Sequence, residues 1–438
     1  MPIEVGRTID AGRWTRYQKW LVLLTALTII FDGFDNQLLG LALPAIMQEW
    51  GLARSAFAPV VSIGYLGMMI GGAGAGLVGD RWGRRTALLG SVSAFAVATA
   101  AIALANGLTV LAMLRFIAGM GLGGAIPNAA ALAAEYVPLR ARPIAVTLAI
   151  VCVPLGGVLA GLFAVPALPA FGWRGMFAIG GAVPLLTALV LVRLLPESPR
   201  YLATRPRRWP ELVRVLGRMG HAVEPDATFS VMDGGKGAAT TFGVLVSREF
   251  RMDTFALWAA FLSCLLAVYL GFSWLPSMLA SAGLSAAVAS TGLTLFNLGG
   301  VFGAIAGGSL ITRFGSKPTM LAMAAGAVAG SIVMSRMTLA AHASPVPFLV
   351  MLAITGGLIN AVQTTMFALA AHVYPTIIRA TGVGTASAIG RTGAIMSGYV
   401  GPWALERGGA PSFFSVMAVS LLITLLSLAV MPRHIPRR

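Results

Sequence analysis

Runs of about 20 apolar residues recur along this chain from Leu21 to Val430, and they decide what it can fold into. A helix needs roughly 20 apolar residues to cross the hydrocarbon core of a bilayer. Of the 438 residues, 57% are hydrophobic and 11% are charged, whereas an ordinary soluble protein has about a quarter of its residues charged. Because such a chain cannot cover itself with polar side chains, we expect an all-α membrane protein.

Twelve transmembrane helices are predicted. Their approximate spans are 20–43, 56–78, 86–105, 108–134, 143–165, 174–195, 253–280, 287–311, 319–339, 346–371, 380–404 and 411–431. A long polar segment, 196–252, divides the chain into an N-terminal six-helix bundle, 1–195, and a C-terminal six-helix bundle, 253–438. Within that segment Leu212 and Leu216 follow helical spacing, which predicts an amphipathic helix at the inner membrane surface.

The net charge of +16 would suggest nucleic acid as a partner in a soluble chain. Here its distribution fits membrane topology better. If the amino terminus is cytoplasmic, 25 of the 31 Lys and Arg residues lie in inner segments, as the positive-inside rule requires. We therefore expect a multi-pass protein of the cell inner (plasma) membrane, with both termini cytoplasmic, in contact with lipid and not with nucleic acid.

The two halves of the chain repeat each other. Residues 76–85 after the second span correspond to 308–317 after the eighth, and Glu135 and Arg142 correspond to His372 and Arg379. The candidate gating residues of these segments are Gly79, Asp80, Arg81, Gly83, Arg84, Arg85, Glu135, Arg142 and Arg379. Alternatively, the arginines only enforce topology. Thr312 replaces the repeated Asp80, and the roles of Thr312 and His372 stay open.

Four ionisable residues lie within the predicted spans, where each costs at least roughly 2.5–3.5 kcal/mol on insertion scales. They are Asp32, Asp35, Arg115 and Arg391. Asp32 lies about 16 Å along its helix from Leu21, near the midplane. Two carboxylates and two guanidinium groups can neutralise each other, and an entering carboxylate would then be balanced by one proton, taken up by Asp32 or Asp35. The alternative is a permanently paired structural network.

Amide and aromatic side chains in the spans are further candidates for a binding pocket. Asn128, Asn297 and Gln363 are candidate substrate-binding residues together with the four ionisable groups, because a polar group in a span packs against another helix or faces a cavity. Tyr269 and Trp274 are candidates to stack on a ring, although Trp274 also fits an interfacial anchor. No metal and no cofactor is expected, since the sequence offers no His/Cys cluster.

Several motifs together resemble the major facilitator superfamily and, within it, the aromatic acid:proton symporter family. They are Asp32-Gly33-Phe34-Asp35, the loop Gly79–Arg85, Pro196-Glu197-Ser198-Pro199-Arg200 and Gly390-Arg391-x-Gly393-Ala394. The resemblance implies a major facilitator fold and proton-coupled uptake of a small aromatic carboxylate of the benzoate, hydroxybenzoate or phenylpropionate type. It also implies that Arg391 binds the anion, that Asp32 and Asp35 act in coupling or binding, and that the Asp80 loop acts in gating.

Other functions stay in competition with this one. A proton-linked exporter of small organic compounds fits the same loop and Arg115, and a symporter of a non-aromatic organic acid is a further alternative. A membrane enzyme or sensor is disfavoured, since no nucleophile in the spans has an evident histidine base. We expect a transporter and not an enzyme, working as a monomer on a small anion and a proton.

Overall fold

The computed structural model describes residues 2–224, 227–230, 242–337 and 344–437, and nearly all of them are helical. The long helices are α2 (Arg16–Trp50), α3 (Ala58–Trp82), α4 (Arg84–Ile102), α5 (Leu108–Tyr136), α6 (Arg142–Leu194), α10 (Arg251–Ser281), α11 (Ala286–Phe314), α12 (Ser316–Arg336), α13 (Val346–Val373) and α14 (Thr376–Val430). The short elements are β1 (Ile3–Glu4), α1 (Val5–Ala11), α7 (Pro199–Ala203), α8 (Trp209–Arg218), β2 (Phe229–Ser230) and α9 (Phe242–Leu245). Among the described residues, ten helices are long and apolar enough to cross a membrane.

Two of these helices each contain a pair of predicted spans. Helix α6 has 53 residues and α14 has 55, so each is far longer than the roughly 20 residues that one crossing needs. Each is interrupted by non-helical backbone, at Gly172 in α6 and at Gly408 and Gly409 in α14. The positive φ angles of 63° at Gly172 and 60° at Gly409 favour glycine. The predicted loops are therefore reduced to breaks of one or two glycines.

Glycine also forms the turns that carry the repeated motif. The chain passes from α3 to α4 at Gly83, with φ of 103°, and from α11 to α12 at Gly315, with φ of 84°. These residues are equivalent in the internal repeat, and both adopt a backbone conformation that other residues rarely take. The two halves therefore repeat a tight helix-to-helix turn, as the sequence predicts.

The long helices pack as two groups. Helices α2–α6, the N-terminal helix group, contact mainly one another, and so do α10–α14, the C-terminal helix group. Within each group glycines bring backbones together: a Cβ atom on Gly71 would lie 2.0 Å from the Met120 carbonyl oxygen, and one on Gly299 would lie 1.9 Å from that of Ala353. Such close approach is typical of membrane helices. The groups meet each other through α2, α3 and α6 on one side and α10, α11 and α14 on the other.

The polar segment folds onto the protein together with the amino terminus. Strand β1 pairs in parallel with β2, and the ring of Trp209 on α8 packs edge-on against Phe229 at 5.5 Å. Leu212 and Leu216 on α8 are 0% exposed. The predicted amphipathic helix is therefore present, and protein covers its apolar face, which is not free to bind the membrane surface.

Candidate functional site

Two of the four ionisable residues in the spans form an ion pair inside one helix group. The other two, Asp32 and Arg391, belong to different helix groups. The ion pair joins Asp35 on α2 to Arg115 on α5, with Oδ2 and Nη1 3.4 Å apart. Thr99 on α4 donates its hydroxyl to the other carboxylate oxygen of Asp35. All three side chains are buried. Asp35 is therefore held by its own helix group, although it lies only three residues from Asp32.

Asp32 faces the opposite helix group. Its side chain is 0% exposed, and among the described residues neither carboxylate oxygen has a hydrogen-bond partner. The opposite charge that acts on it is that of Arg391 on α14. A carboxylate at membrane depth without a direct partner costs free energy and is a strong indication of function. Asp32, which the sequence places near the midplane, and Arg391 are thus brought to one junction.

Arg391 is fixed at this junction by backbone. Its Nη1 donates to the Met68 carbonyl oxygen on α3, across the boundary between the helix groups. Gly72, one turn farther along α3, leaves room for the guanidinium group, since a Cβ atom there would lie 3.2 Å from Nη1. Because a guanidinium group has five N–H donors, the bond to Met68 leaves others to bind an anion.

Three polar residues of the junction are absent from the predicted site: Asn36, Tyr65 and Ser273. Asn36 follows Asp32 by one turn of α2. The charges of Asp32 and Arg391 act on Tyr269 of α10, which also lies close to the Asn36 amide. The ring of Tyr65 on α3 meets that of Tyr269 edge-on at 4.6 Å, and its hydroxyl is hydrogen-bonded to Ser273 at 2.6 Å. Helical spacing from Asp32 was the signal that could have identified Asn36.

Asn297 is engaged in a reciprocal amide pair with Gln37. Gln37 donates to Asn297 at 2.9 Å, and Asn297 donates to Gln37 at 2.7 Å. Both side chains are 0% exposed, and the pair joins α2 to α11. Gly157 on α6 leaves the space for it, since a Cβ atom there would lie 2.1 Å from Gln37 Nε2. This pair connects the two helix groups.

The other predicted pocket residues lie elsewhere. Asn128 donates to the carbonyl oxygens of Ala75 and Gly124, at 3.3 and 2.9 Å, between α3 and α5. Gln363 is half-buried on α13. Trp274 is fully buried, and Gly401 on α14 packs directly against its ring. Trp274 therefore packs between α10 and α14 and is not an exposed interfacial anchor.

The predicted gating residues around the α3–α4 turn meet the segment after α6. Glu197 accepts a hydrogen bond from the Arg85 amide at 2.9 Å, and Ser198 donates to Glu135 at the end of α5. A Cβ atom on Gly83 would lie 2.1 Å from Glu197 Oε2, so the turn requires glycine there. We call Gly83, Arg85, Glu135, Glu197 and Ser198 the inner cluster. Glu197 and Ser198 belong to the Pro196–Arg200 motif of the sequence, yet the predicted site omits them.

The remaining gating candidates of the α3–α4 turn contact both their own helix pair and the segment after α6. Asp80 and Arg84 form an exposed ion pair one turn apart at 2.5 Å, and Gly79 packs under Asn128 and Arg84. The Arg81 carbonyl oxygen accepts a bond from the Tyr201 hydroxyl at 3.2 Å.

Arg142 and Arg379, equivalent in the repeat, make similar contacts. Arg142 donates through Nε to the Ala134 carbonyl oxygen at 3.1 Å, and Arg379 donates through Nε to that of Tyr374 at 3.3 Å. His372 is exposed at the end of α13, and Thr312 donates its hydroxyl to the Ser309 carbonyl oxygen at 2.6 Å.

Comparison with solved structures supports the fold. The crystal structure of a D-xylose-proton symporter superposes with a TM-score of 0.71, covering 96% of this chain and 98% of that chain at 18% identity. An inward-open structure of the xylose transporter of Escherichia coli gives a TM-score of 0.73 at 18% identity, covering 95% of this chain and 96% of the other. At this identity the likeness establishes the fold alone.

Sequence comparison establishes the family. The model of the Major Facilitator Superfamily matches residues 25–337 and 257–438. The gallate transporter of Pseudomonas putida is 35% identical over 428 residues, covering 98% of this chain and 94% of the relative. The 4-hydroxybenzoate transporter PcaK of Pseudomonas aeruginosa is 36% identical over 412 residues, covering 93% and 90%. The 3-(3-hydroxy-phenyl)propionate transporter of Escherichia coli is 31% identical over 375 residues, covering 86% and 84%. The chain is therefore a multi-pass membrane transporter and not an enzyme, a member of the major facilitator superfamily and of its aromatic acid transporter family.

Proposed function

We propose that this protein takes up a small aromatic carboxylate together with a proton, by alternating access. The observation that carries the proposal is the junction at which Asp32 of one helix group faces Arg391 of the other with no direct ion pair among the described residues. The relatives named for gallate, 4-hydroxybenzoate and 3-(3-hydroxyphenyl)propionate support the substrate class, since all three compounds are aromatic carboxylates.

Arg391 binds the carboxylate in this mechanism. Its charge is permanent, and its planar fork can form two parallel hydrogen bonds with a carboxylate. Met68 fixes one edge of the guanidinium group, which reduces the freedom lost on binding. Because the arginine belongs to the C-terminal helix group and Met68 to the N-terminal one, the substrate contacts the boundary along which the two groups move.

Asp32 carries the proton. While the site is empty, Arg391 partly compensates the buried Asp32 carboxylate. When a substrate carboxylate occupies Arg391, that compensation is lost, and a proton on Asp32 removes a buried charge that would otherwise be unpaired. Anion and proton therefore enter together at lower cost than either alone. Asp35 is the second acid of the coupling pair, with its charge balanced by Arg115.

The twelve predicted crossings complete the proposed architecture. The eight long helices other than α6 and α14 each cross the membrane once, and those two cross twice by turning back at their glycine breaks. This gives six-helix bundles at 1–195 and 253–438, joined by a cytoplasmic segment, 196–252. Both termini then lie on the cytoplasmic side of the inner membrane, and one chain contains a complete site, which fits a monomeric transporter.

Contacts between the helix groups support alternating access. In the proposed topology, the Gln37–Asn297 pair, the bond from Ser62 to the Ile395 carbonyl oxygen at 2.8 Å and the bond from the Ser55 amide to Glu406 at 3.2 Å lie toward the outer side. They close the outer side over the junction. The inner cluster, in contrast, binds the N-terminal helix group to its own following segment. The outer contacts must break for substrate to enter from outside.

Uptake of labelled 4-hydroxybenzoate into vesicles with an imposed pH gradient tests the proposal. We expect Asp32→Asn to abolish accumulation against a gradient while exchange of internal for external substrate continues, because an amide cannot carry the proton. Arg391→Lys should weaken apparent affinity about 10- to 100-fold, since the bidentate fork is lost.

Arg407→Lys is the matched control. Arg407 is on the same helix, exposed, and stacks over Trp403 at 4.9 Å, so its exchange should leave uptake unchanged. Full accumulation by Asp32→Asn would refute the coupling assignment, and proton-driven expulsion of the label would identify an exporter.

A further inference from the structure

The amide of Asn36 is a polar group at the junction that carboxylate binding and proton coupling leave unused. Asn36 is 5% exposed, and among the described residues its Oδ1 atom has no hydrogen-bond partner. It lies four residues after Asp32 on α2, so the two side chains share a helix face. A buried amide oxygen without a donor is costly, and it therefore favours a ligand that supplies one.

The aromatic side chains beside this amide form a surface for a flat ring. Tyr269 packs edge-on against Tyr65, with centroids 4.6 Å apart, and against Phe272, with centroids 5.6 Å apart. Tyr269 is only partly buried and lies near Asp32, Arg391 and Asn36. Aromatic rings prefer such edge-to-face and offset contacts with one another. The ring of an aromatic acid held by Arg391 therefore has a matching wall.

The hydroxyl groups of the two tyrosines differ in availability. That of Tyr65 is hydrogen-bonded to Ser273 on α10 at 2.6 Å. That of Tyr269 is within hydrogen-bonding reach of the Asn36 side chain, and because the Asn36 oxygen is unpaired, the Asn36 nitrogen is the donor and the Tyr269 hydroxyl keeps its own proton for a ligand. The Asn36 amide and the Tyr269 hydroxyl thus provide an acceptor and a donor side by side.

We propose that Asn36 and Tyr269 select substrates that carry a hydroxyl group on the aromatic ring. This inference rests on the proposed function, in which Arg391 holds the carboxylate. A phenolic hydroxyl donates to the Asn36 amide oxygen and accepts from the Tyr269 hydroxyl, while the ring packs on Tyr269 and Tyr65. A ring without a hydroxyl buries the Asn36 amide oxygen unsatisfied, and a site built to bind a hydroxyl discriminates against such a ligand.

Binding of benzoate and of its 2-, 3- and 4-hydroxy derivatives to the purified full-length protein, measured by calorimetry, tests the inference. We expect the wild-type protein to bind at least one hydroxybenzoate about tenfold more tightly than benzoate, which is the effect of one net hydrogen bond. Asn36→Leu should weaken binding of that hydroxybenzoate about tenfold and leave benzoate nearly unchanged. Tyr269→Phe, which keeps the ring, should shift the preference in the same direction.

Tyr65→Phe is the matched control, because it also removes a phenol hydroxyl from the aromatic wall, but one already bonded to Ser273. It should change binding of all four acids by the same factor. If the wild-type protein binds all four acids equally, or if Asn36→Leu weakens all of them equally, the selectivity inference is overturned and the proposed function stands. If the wild-type protein binds none of them, the proposed function itself is overturned.

Discussion

Asp35 and Arg115 make a prediction about single residues, because removing one partner of a buried ion pair is far more costly than removing both charges. Arg115→Leu leaves the Asp35 carboxylate, 0% exposed, with Thr99 alone, and we expect a loss of about 3–5 kcal/mol of stability. Asp35→Asn combined with Arg115→Leu should recover most of that loss. Unfolding of the purified protein in detergent measures both variants.

The double variant also tests the assignment of charges. If it is no more stable than Arg115→Leu, the two residues do not act as a pair. Transport gives a separate readout. If the double variant recovers stability but loses uptake, Asp35 contributes to coupling as well as to packing.

The sequence identifies which residues of the junction are costly in a membrane, but not which partners they take. Asp32 and Asp35 are three residues apart, and helical spacing places them on one face. In the structure Asp35 contacts Thr99 and Arg115, whereas Asp32 faces Arg391, because the neighbouring helices approach α2 from different directions. Tertiary contacts of this kind also explain why Asn297 is found paired with Gln37.

At the scale of elements, hydropathy predicts the long helices well and their connections less well. The predicted loops at 166–173 and 405–410 are helical up to a glycine break, because glycine adopts backbone conformations that interrupt a helix without a polar loop. Amphipathic spacing likewise predicts that the apolar face of α8 lies on the membrane surface. Such spacing predicts that one face of α8 is buried. What covers that face depends on residues outside the helix, such as Phe229, which packs on Trp209.

The segment after α14 yields a prediction about pH. His434 accepts or donates a hydrogen bond with Ser316 at 3.1 Å, and Ser316 also exchanges hydrogen bonds with the backbone of Ile435, which docks this tail on the α11–α12 turn. Burial lowers the pKa of His434, and Lys317 lowers it further, while the Leu428 carbonyl oxygen and Asp253 oppose the shift. The undocked tail therefore binds a proton more readily than the docked one. Docking should be strongest above the ordinary value of about 6.5 and weaken as the pH falls below it.

A spin label on Pro436→Cys, in a background with Cys152 and Cys264 replaced by alanine, measures this docking. Pro436 is exposed and both native cysteines are buried. Mobility of the label should increase between pH 7.5 and pH 5.5. The same label in His434→Asn, which retains a polar side chain that does not titrate, should show little change over that range. A pH response of equal size in His434→Asn would exclude the histidine as its source.

At the scale of the whole molecule, the two helix groups are held together asymmetrically. Side chains and backbone join them around Gln37, Asn297, Ser62 and Ser55, whereas the inner cluster binds one group to the segment that follows it. Glycines at the contact surfaces, such as Gly40, whose Cβ atom would lie 2.4 Å from the Phe272 carbonyl oxygen, bring α2 and α10 together without interlocking side chains. Such surfaces, joined by a few hydrogen bonds, fit the alternating access proposed above, because each bond adds little to the cost of separating the groups.

The Gln37–Asn297 pair should set the balance between the outer-closed and outer-open states. Gln37→Leu leaves the Asn297 side-chain oxygen buried without its donor in the closed state, although Asn297 still donates to the Leu293 carbonyl oxygen. Because opening hydrates that oxygen, we expect the open population to rise about tenfold, equivalent to about 1.4 kcal/mol. Reaction of Ser62→Cys with a membrane-impermeant thiol reagent, in the background without the two native cysteines, measures the opening, because Ser62 is 5% exposed between the groups.

Asn360→Leu is the control, since that amide donates to Gly356 on its own helix and its loss should leave the labelling rate unchanged. Equal labelling of the Gln37→Leu and unmodified proteins would show that the pair does not hold the outer side closed, and the closing contact would then be sought at Ser55 and Glu406.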